Sequence, residues 1–173
     1  MKTVFQAYAR YNKNVNQDMI KIVKTVSQKK LAQRFKTYFP TIYDLLFHIL
    51  FSDINWIKRF NTKFGSYDSL QMTKVGSYDE MKLREKLKGD YKKLFELRAT
   101  VDEEIETFVK ELKDDDYTKV LKYKNYKGED TEKEMWKVLM QMFNHQTHHR
   151  GQISDLLDML GIDNDYSTIF SRI

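Results

Sequence analysis

Glycine and proline are scarce in this sequence, with only six glycines and one proline among 173 residues. Because these residue types form most tight turns and interrupt helices, their scarcity argues against many short strands and favours long helices. A chain of this length can bury roughly two thirds of its unfolded surface in one core. The sequence therefore predicts one mainly helical domain that spans residues 1–173.

Four segments carry apolar residues at spacings of three and four positions. The first runs from Phe5 to Val26, and the second, from Thr41 to Phe60, is apolar over most of its surface. The third and longest runs from Asp79 to Leu112. The fourth runs from Thr131 to Leu160 and stops before Gly161, a residue type common just beyond a helix end. This periodicity predicts four long helices.

The connections between these segments differ in character. Residues 61–79 are rich in glycine, serine and aspartate, which predicts an irregular connection with a short turn of helix. Residues 114–130 contain short alternating runs around Gly128, which predict a small hairpin or extended excursion. The expected fold is therefore an all-α four-helix bundle with this excursion before the last helix.

The composition excludes several classes of protein. With no cysteine, the chain has no disulfide, no thiolate nucleophile and no sulfur ligand for a metal. Its 30 basic residues are interleaved with 25 acidic ones, for a net charge of +5, which is typical of a solvated surface. No basic stripe or nucleic-acid-binding motif is present, so we expect no nucleic-acid partner.

The polar amino-terminal stretch and the lack of any apolar run of about 18 residues predict no targeting segment and no membrane span. A cysteine-free chain also suits a reducing compartment. We therefore expect a cytoplasmic protein.

Three of the four histidines lie within residues 145–149. At about 100° per residue, His145 and His149 lie only about 40° apart on a helix, so both imidazoles can reach one ion. His148 lies about 100° from His149, on a flank with Gln141, Asn144, Gln152 and Asp155, where a structural role is expected. Arg150 lies about 140° from His145 and is expected to point to solvent or to a dimer partner.

The remaining histidine, His48, shares an unusually polar face of the second helix with Asp44, Ser52 and Asn55. Polar groups on an otherwise apolar helix indicate a wet cavity or a bound ligand. Asp44 could accept a hydrogen bond from the imidazole nitrogen that does not bind metal, as could Ser52 or Asn55. His48 is the candidate third ligand if the second and fourth helices pack together.

Two other interpretations remain for these histidines. Single histidines are commonly held by ordinary hydrogen bonds at the edge of a core, and a surface cluster can be accidental. A zinc peptidase with H-E-x-x-H is not expected, because Gln146 occupies the position of the glutamate and cannot act as a general base.

The segment Asn144–Ile153, with two leucines and Gly161 after it, resembles the fourth-helix signature of the DinB/YfiT-like family. The segment Leu45–Leu50, with Trp56 after it, resembles the second-helix motif of the same family. The order of elements is also similar, and the likeness covers essentially the whole chain. The resemblance implies an up-down-down-up four-helix bundle, usually a homodimer.

The resemblance also implies a divalent metal ion on three histidines, which here correspond to His48, His145 and His149. Zn²⁺ is the first candidate, and Ni²⁺, Co²⁺ or Fe²⁺ also suit nitrogen ligands. Three imidazoles leave coordination positions open, as at catalytic metals. Family members of known activity activate a low-molecular-weight thiol for transfer or isomerisation. The implied function is thiol transfer to a small molecule, with a metal-dependent hydrolase or a non-catalytic metal-binding stress-response protein as the alternatives.

Overall fold

The computed structural model describes all residues, 1–173, and is mostly helical with one small sheet. Seven α-helices and two β-strands follow one another along the chain: α1 Lys2–Val23, α2 Gln28–Leu31, α3 Ile42–Phe64, α4 Asp68–Gln71, α5 Glu80–Leu87, α6 Tyr91–Glu111, β1 Val120–Lys124, β2 Asp130–Glu134 and α7 Met135–Met159. Short 3₁₀ turns cover Val75–Ser77 and Asp114–Thr118. None of the helices combines the length and the apolar character needed to cross a membrane.

The long helices pack through one continuous core of 43 buried apolar residues. Helix α1 packs against α6 and α7, and α3 packs against the same two helices. Helix α3 begins where its sequence predicts, because the Thr41 hydroxyl accepts a hydrogen bond from the Asp44 amide at 3.0 Å and caps the first turn. This packing places one face of α3 directly against α7.

The excursion before the last helix is a β-hairpin, as the alternating pattern predicts. Strands β1 and β2 pair antiparallel, with Leu121 opposite Lys133 and Gly128 in the turn at φ 81°. Leu121 is fully buried, which anchors the hairpin to the core. Because β2 extends to Glu134, helix α7 begins at Met135, and the predicted helix start at Thr131 is wrong.

The third predicted helix is wrong as a continuous element, because residues 79–112 form two helices. Helix α5 ends at Leu87 and α6 begins at Tyr91. Gly89 between them has φ 74°, and the Asp90 carboxylate accepts a hydrogen bond from the Lys93 amide at 3.0 Å. A left-handed glycine followed by a capping aspartate ends one helix and starts the next, despite apolar spacing that continues across the break.

The remaining differences are small. Helix α1 ends at Val23, before the predicted Val26, and α3 continues to Phe64, beyond the predicted Phe60. The irregular connection therefore begins at Gly65 rather than at residue 61, and it contains the short helix α4, as expected.

Candidate metal centre

The structure brings His48 of α3 together with His145 and His149 of α7. The Nε2 atom of His48 lies 3.1 Å from that of His145 and 3.2 Å from that of His149. The Nε2 atoms of His145 and His149 are 3.0 Å apart. The three nitrogens therefore form a nearly equilateral triangle and could hold a metal ion.

Hydrogen bonding cannot account for all three contacts in this triangle. An imidazole nitrogen either carries a proton and donates, or carries a lone pair and accepts. Among three nitrogens at least two are in the same state, so at least one of the contacts is not a hydrogen bond. A central cation would satisfy three lone pairs at once. With metal–nitrogen bonds of about 2.0–2.1 Å, ligand nitrogens lie about 2.8–3.4 Å apart for right-angled to tetrahedral geometry, a range that includes the observed distances.

The surroundings of the triangle favour neutral imidazoles. Burial, assisted by the charge that His149 would carry, lowers the pKa of His48 and of His145 to about 4. Burial also lowers the pKa of His149, although its hydrogen bond to Gln152 opposes the shift. All three rings are therefore uncharged at neutral pH, which is the form that binds a metal.

Gln152 orients one of the rings. Its Oε1 atom lies 2.7 Å from Nδ1 of His149, and an amide oxygen only accepts, so Nδ1 carries the proton. The lone pair of His149 is thereby placed on Nε2, which faces the other two histidines. Sequence reasoning placed Gln152 on the polar flank and missed this contact. The available signal was its spacing of three residues from His149, which places neighbours on adjacent turns.

The structure does not bring Asp44 to His48. One Asp44 oxygen accepts a hydrogen bond from the Thr41 hydroxyl at 2.7 Å, and the other lies 3.3 Å from Nη1 of Arg84. Helix capping and an ion pair therefore occupy the carboxylate proposed as the acceptor. Asn55 and Ser52 instead line a cavity that also exposes His48.

His148 lies outside the triangle, as its helical angle predicts, and its ring stacks edge-on against His149 at 4.9 Å between centroids.

The prediction that Arg150 points to solvent or to a dimer partner is wrong. This residue is only 3% exposed, and its Nη1 donates to Oδ1 of Asn12 at 2.6 Å and of Asn16 at 3.2 Å. Helix α1 covers this side of α7, which an angle measured from His145 alone does not reveal. The sequence feature that indicates a buried polar partner is the pair Asn12 and Asn16, which lie four residues apart on the otherwise apolar face of α1.

Further buried charges lie deeper in the same interior, and sequence reasoning missed them. Arg98 of α6 lies 2.9 Å from Asp53 and 2.8 Å from Asp102, and all three side chains are nearly inaccessible. Burial raises the pKa of Asp102 to about 6 even though Arg98 opposes the shift. Gln146, between the two α7 histidines, donates to the backbone oxygen of Ile49 at 2.9 Å. This bond fixes α7 against α3 beside the triangle.

Comparison with known proteins identifies the family of this chain. A sequence model of the DinB family matches residues 1–167. The chain belongs to the DinB family. It is also 26% identical over 158 residues to "Protein DinB" of Bacillus subtilis (strain 168), a match that covers 91% of this chain and 86% of that protein.

In this DinB-family chain an aromatic side chain covers part of the triangle. Phe39, in the segment between α2 and α3, lies 4.4 Å from the His48 ring and 5.5 Å from the His149 ring, between centroids. It packs against one side of both rings.

Two cavities reach the histidines of this family member. We call the first the apolar cavity; its volume is about 640 Å³, and its apolar lining residues Phe39, Leu45, Leu156 and Met159 lie beside His48, His149 and further polar groups. We call the second the polar cavity; its volume is about 480 Å³, and Ser52, Asn55, Trp56, Arg59 and Glu80 line it with His48 and His145. The triangle is therefore open on more than one side.

Proposed function

We propose that this DinB-family chain binds a divalent metal ion through His48, His145 and His149 and transfers a low-molecular-weight thiol to a small electrophile. The observation that carries the proposal is the triangle of three neutral imidazoles, with mutual distances of 3.0–3.2 Å, between two cavities. Nitrogen ligation favours Zn²⁺ first, and Ni²⁺, Co²⁺ or Fe²⁺ next.

His48, His145 and His149 would hold the cation, which would supply a strong local positive charge and lower the pKa of a thiol bound beside it. In the proposed reaction the thiol sulfur forms a bond to carbon, and the bond from that carbon to its leaving group breaks. The leaving group departs with the electron pair, and the thiol proton passes to solvent. Gln152 keeps His149 in the required tautomer, and Phe39 packs against the His48 ring and helps to hold its position.

We also propose the family's up-down-down-up bundle and homodimer for this chain. The packing of α1 and α3 against both α6 and α7 supports the bundle. An apolar groove between α1 and α7, with exposed Val4, Tyr8 and Met140, supports the homodimer. Light scattering of wild type and of Met140→Lys tests the homodimer. A monomeric wild type would contradict it.

The metal assignment is tested by purification without chelators or metal-affinity columns, followed by elemental analysis. We expect about one equivalent of divalent metal in wild type and in the control His148→Ala, and a large loss in His145→Ala. Equal metal content in wild type and His145→Ala would refute the three-histidine site.

The reaction is tested by incubating the metal-loaded protein with a panel of low-molecular-weight thiols and 1-chloro-2,4-dinitrobenzene. We expect conjugation above the spontaneous rate that is lost after metal removal. If no thiol gives metal-dependent conjugation, the transferase proposal fails. Ester substrates then separate a hydrolase from a non-catalytic metal-binding protein.

A further inference from the structure

The two cavities meet the histidine triangle through different ligands. His48 lines both, whereas His149 lines only the apolar cavity and His145 lines only the polar cavity. A group that enters through one cavity therefore approaches the centre of the triangle by a different path from a group that enters through the other. This arrangement suits two reactants bound at the same time.

The polar cavity contains a cation without an acidic partner. Arg59 is half-buried, and its guanidinium lies 4.5 Å from the Trp56 ring and 4.8 Å from the Tyr123 ring. Its Nη2 donates to the backbone oxygen of Lys124 at 3.1 Å, and it forms no ion pair. Glu80 also lines this cavity but is not paired with Arg59.

The two aromatic rings and the backbone oxygen hold the guanidinium in one orientation. A fixed guanidinium retains several N–H donors for a planar anion, and carboxylates match its geometry. Arg98, by contrast, has both Asp53 and Asp102 as partners, so its charge is already matched. Arg59 is therefore the better suited of the two to bind an anionic ligand.

The apolar cavity contains no arginine or lysine side chain. Phe39, Leu45, Leu156 and Met159 contribute apolar side chains to its lining, together with polar groups that include Gln152. Its one carboxylate, Asp155, is exposed, so an anionic ligand is disfavoured there and a neutral apolar ligand is favoured.

We propose that the polar cavity binds a carboxylate-bearing thiol, with its carboxylate on Arg59 and its sulfur towards the triangle, while the apolar cavity binds a neutral apolar electrophile. This assignment rests on the proposed thiol transfer and adds the substrate classes. The carbon–sulfur bond forms where the cavities meet, and the leaving group departs with its electron pair as the thiol proton passes to solvent. Arg59 acts as the specificity-determining residue for the thiol.

Binding rather than turnover provides the test. Trp56 lies beside Arg59, so replacing the other tryptophan, Trp136→Phe, leaves Trp56 as the single fluorescent reporter in the polar cavity. Zn²⁺-loaded protein with this background is titrated with 3-mercaptopropionate, 2-mercaptoethanol and 2-mercaptoethylamine. We expect the carboxylate thiol to bind about tenfold more tightly than the neutral one, as for a charge-assisted hydrogen bond.

Variants of Arg59 test whether this residue causes the preference among the thiols. Arg59→Met should abolish the preference for 3-mercaptopropionate without changing zinc content, Arg59→Lys should keep part of it, and Arg59→Glu should favour 2-mercaptoethylamine. Equal binding of the three thiols by wild type, or an unchanged preference in Arg59→Met, overturns the proposal.

The second reactant is tested by calorimetry with 4-nitrotoluene, an unreactive neutral aromatic, in the presence and absence of saturating 3-mercaptopropionate. We expect both to bind together, with Phe39→Ala weakening only 4-nitrotoluene. Competition between them would show one shared cavity and overturn the assignment. Propionate, which has no thiol, distinguishes failure of the Arg59 carboxylate site from failure of the proposed thiol transfer. Its Arg59-dependent binding needs no metal, so it should persist even if metal-dependent conjugation is absent.

Discussion

The Nδ1 atom of His149 lies 2.7 Å from Oε1 of Gln152, one turn further along α7. This contact selects the tautomer whose free lone pair, on Nε2, points towards His48 and His145. Loss of a group that orients a metal ligand typically weakens metal binding by about 10–100-fold. We expect Gln152→Leu to weaken zinc affinity by at least about tenfold and Gln152→Glu, which keeps an acceptor, to retain it. Competition with a chromogenic chelator measures both, and wild-type affinity in Gln152→Leu would show that the contact does not matter.

Arg150 is expected to be a structural residue rather than a surface one. Arg150→Met leaves Oδ1 of Asn12 and of Asn16 without their charged donor in a buried region. Lost hydrogen bonds of this kind cost roughly 1.5–3 kcal/mol each, so we expect unfolding free energy to fall by about 3 kcal/mol in urea denaturation. The exposed Arg10→Met is the matched control and should change it by less than about 0.5 kcal/mol. Similar small effects for both variants would contradict the buried network.

Glu106 should make the protein sensitive to acid. Burial pushes its pKa upwards, but hydrogen bonds from Lys110 and Lys13 outweigh that effect and hold the pKa below 4.5. The folded state therefore favours the ionised form, and the resulting stability is complete above about pH 4.5 and lost as the pH falls through the folded-state pKa. We expect Glu106→Gln to be less stable than wild type at pH 7, and we expect this difference to shrink as the pH is lowered to 3.

Urea denaturation at the two pH values measures this difference. The exposed Glu96→Gln is the control and should resemble wild type at both. A stability difference for Glu106→Gln that stays constant between pH 7 and pH 3 would mean that the ionised carboxylate is not its source.

The glycines at positions 89 and 151 should respond in opposite ways to alanine. Gly89 has φ 74°, where a Cβ atom is strained although no atom lies within 4 Å of it, so Gly89→Ala should cost about 1 kcal/mol. Gly151 is helical, exposed and equally open, so Gly151→Ala should stabilise by about 0.5–1 kcal/mol. Thermal denaturation of both variants measures the signs, and the same sign for both would refute the interpretation of the α5–α6 break.

The histidine cluster was within reach of the sequence because helical spacing fixes which side chains share a face. His145 and His149 satisfy that rule on one helix, and His48 required only that α3 pack against α7. The hairpin was also predictable, since its alternating residues and Gly128 specify local geometry.

Other features depend on which helices pack against each other. The spacing of residues along the sequence does not show this. Arg150 is buried because α1 covers it, and Asp44 turns to Arg84 because α5 lies nearby. The break at Gly89 is a local signal that apolar periodicity concealed. The two cavities arise from the loop that carries Phe39 and from the hairpin side of α3, and neither is encoded in one helix.

His48 and His145 are separated by 97 positions along the chain yet meet at one point. An ion held there would cross-link two distant segments, and closing so long a loop removes much of the freedom of the unfolded chain. Global opening, and with it cleavage by proteases that attack opened chains, would then become rarer as metal becomes more available. The lifetime of the protein in a cell would in that way depend on the supply of such an ion.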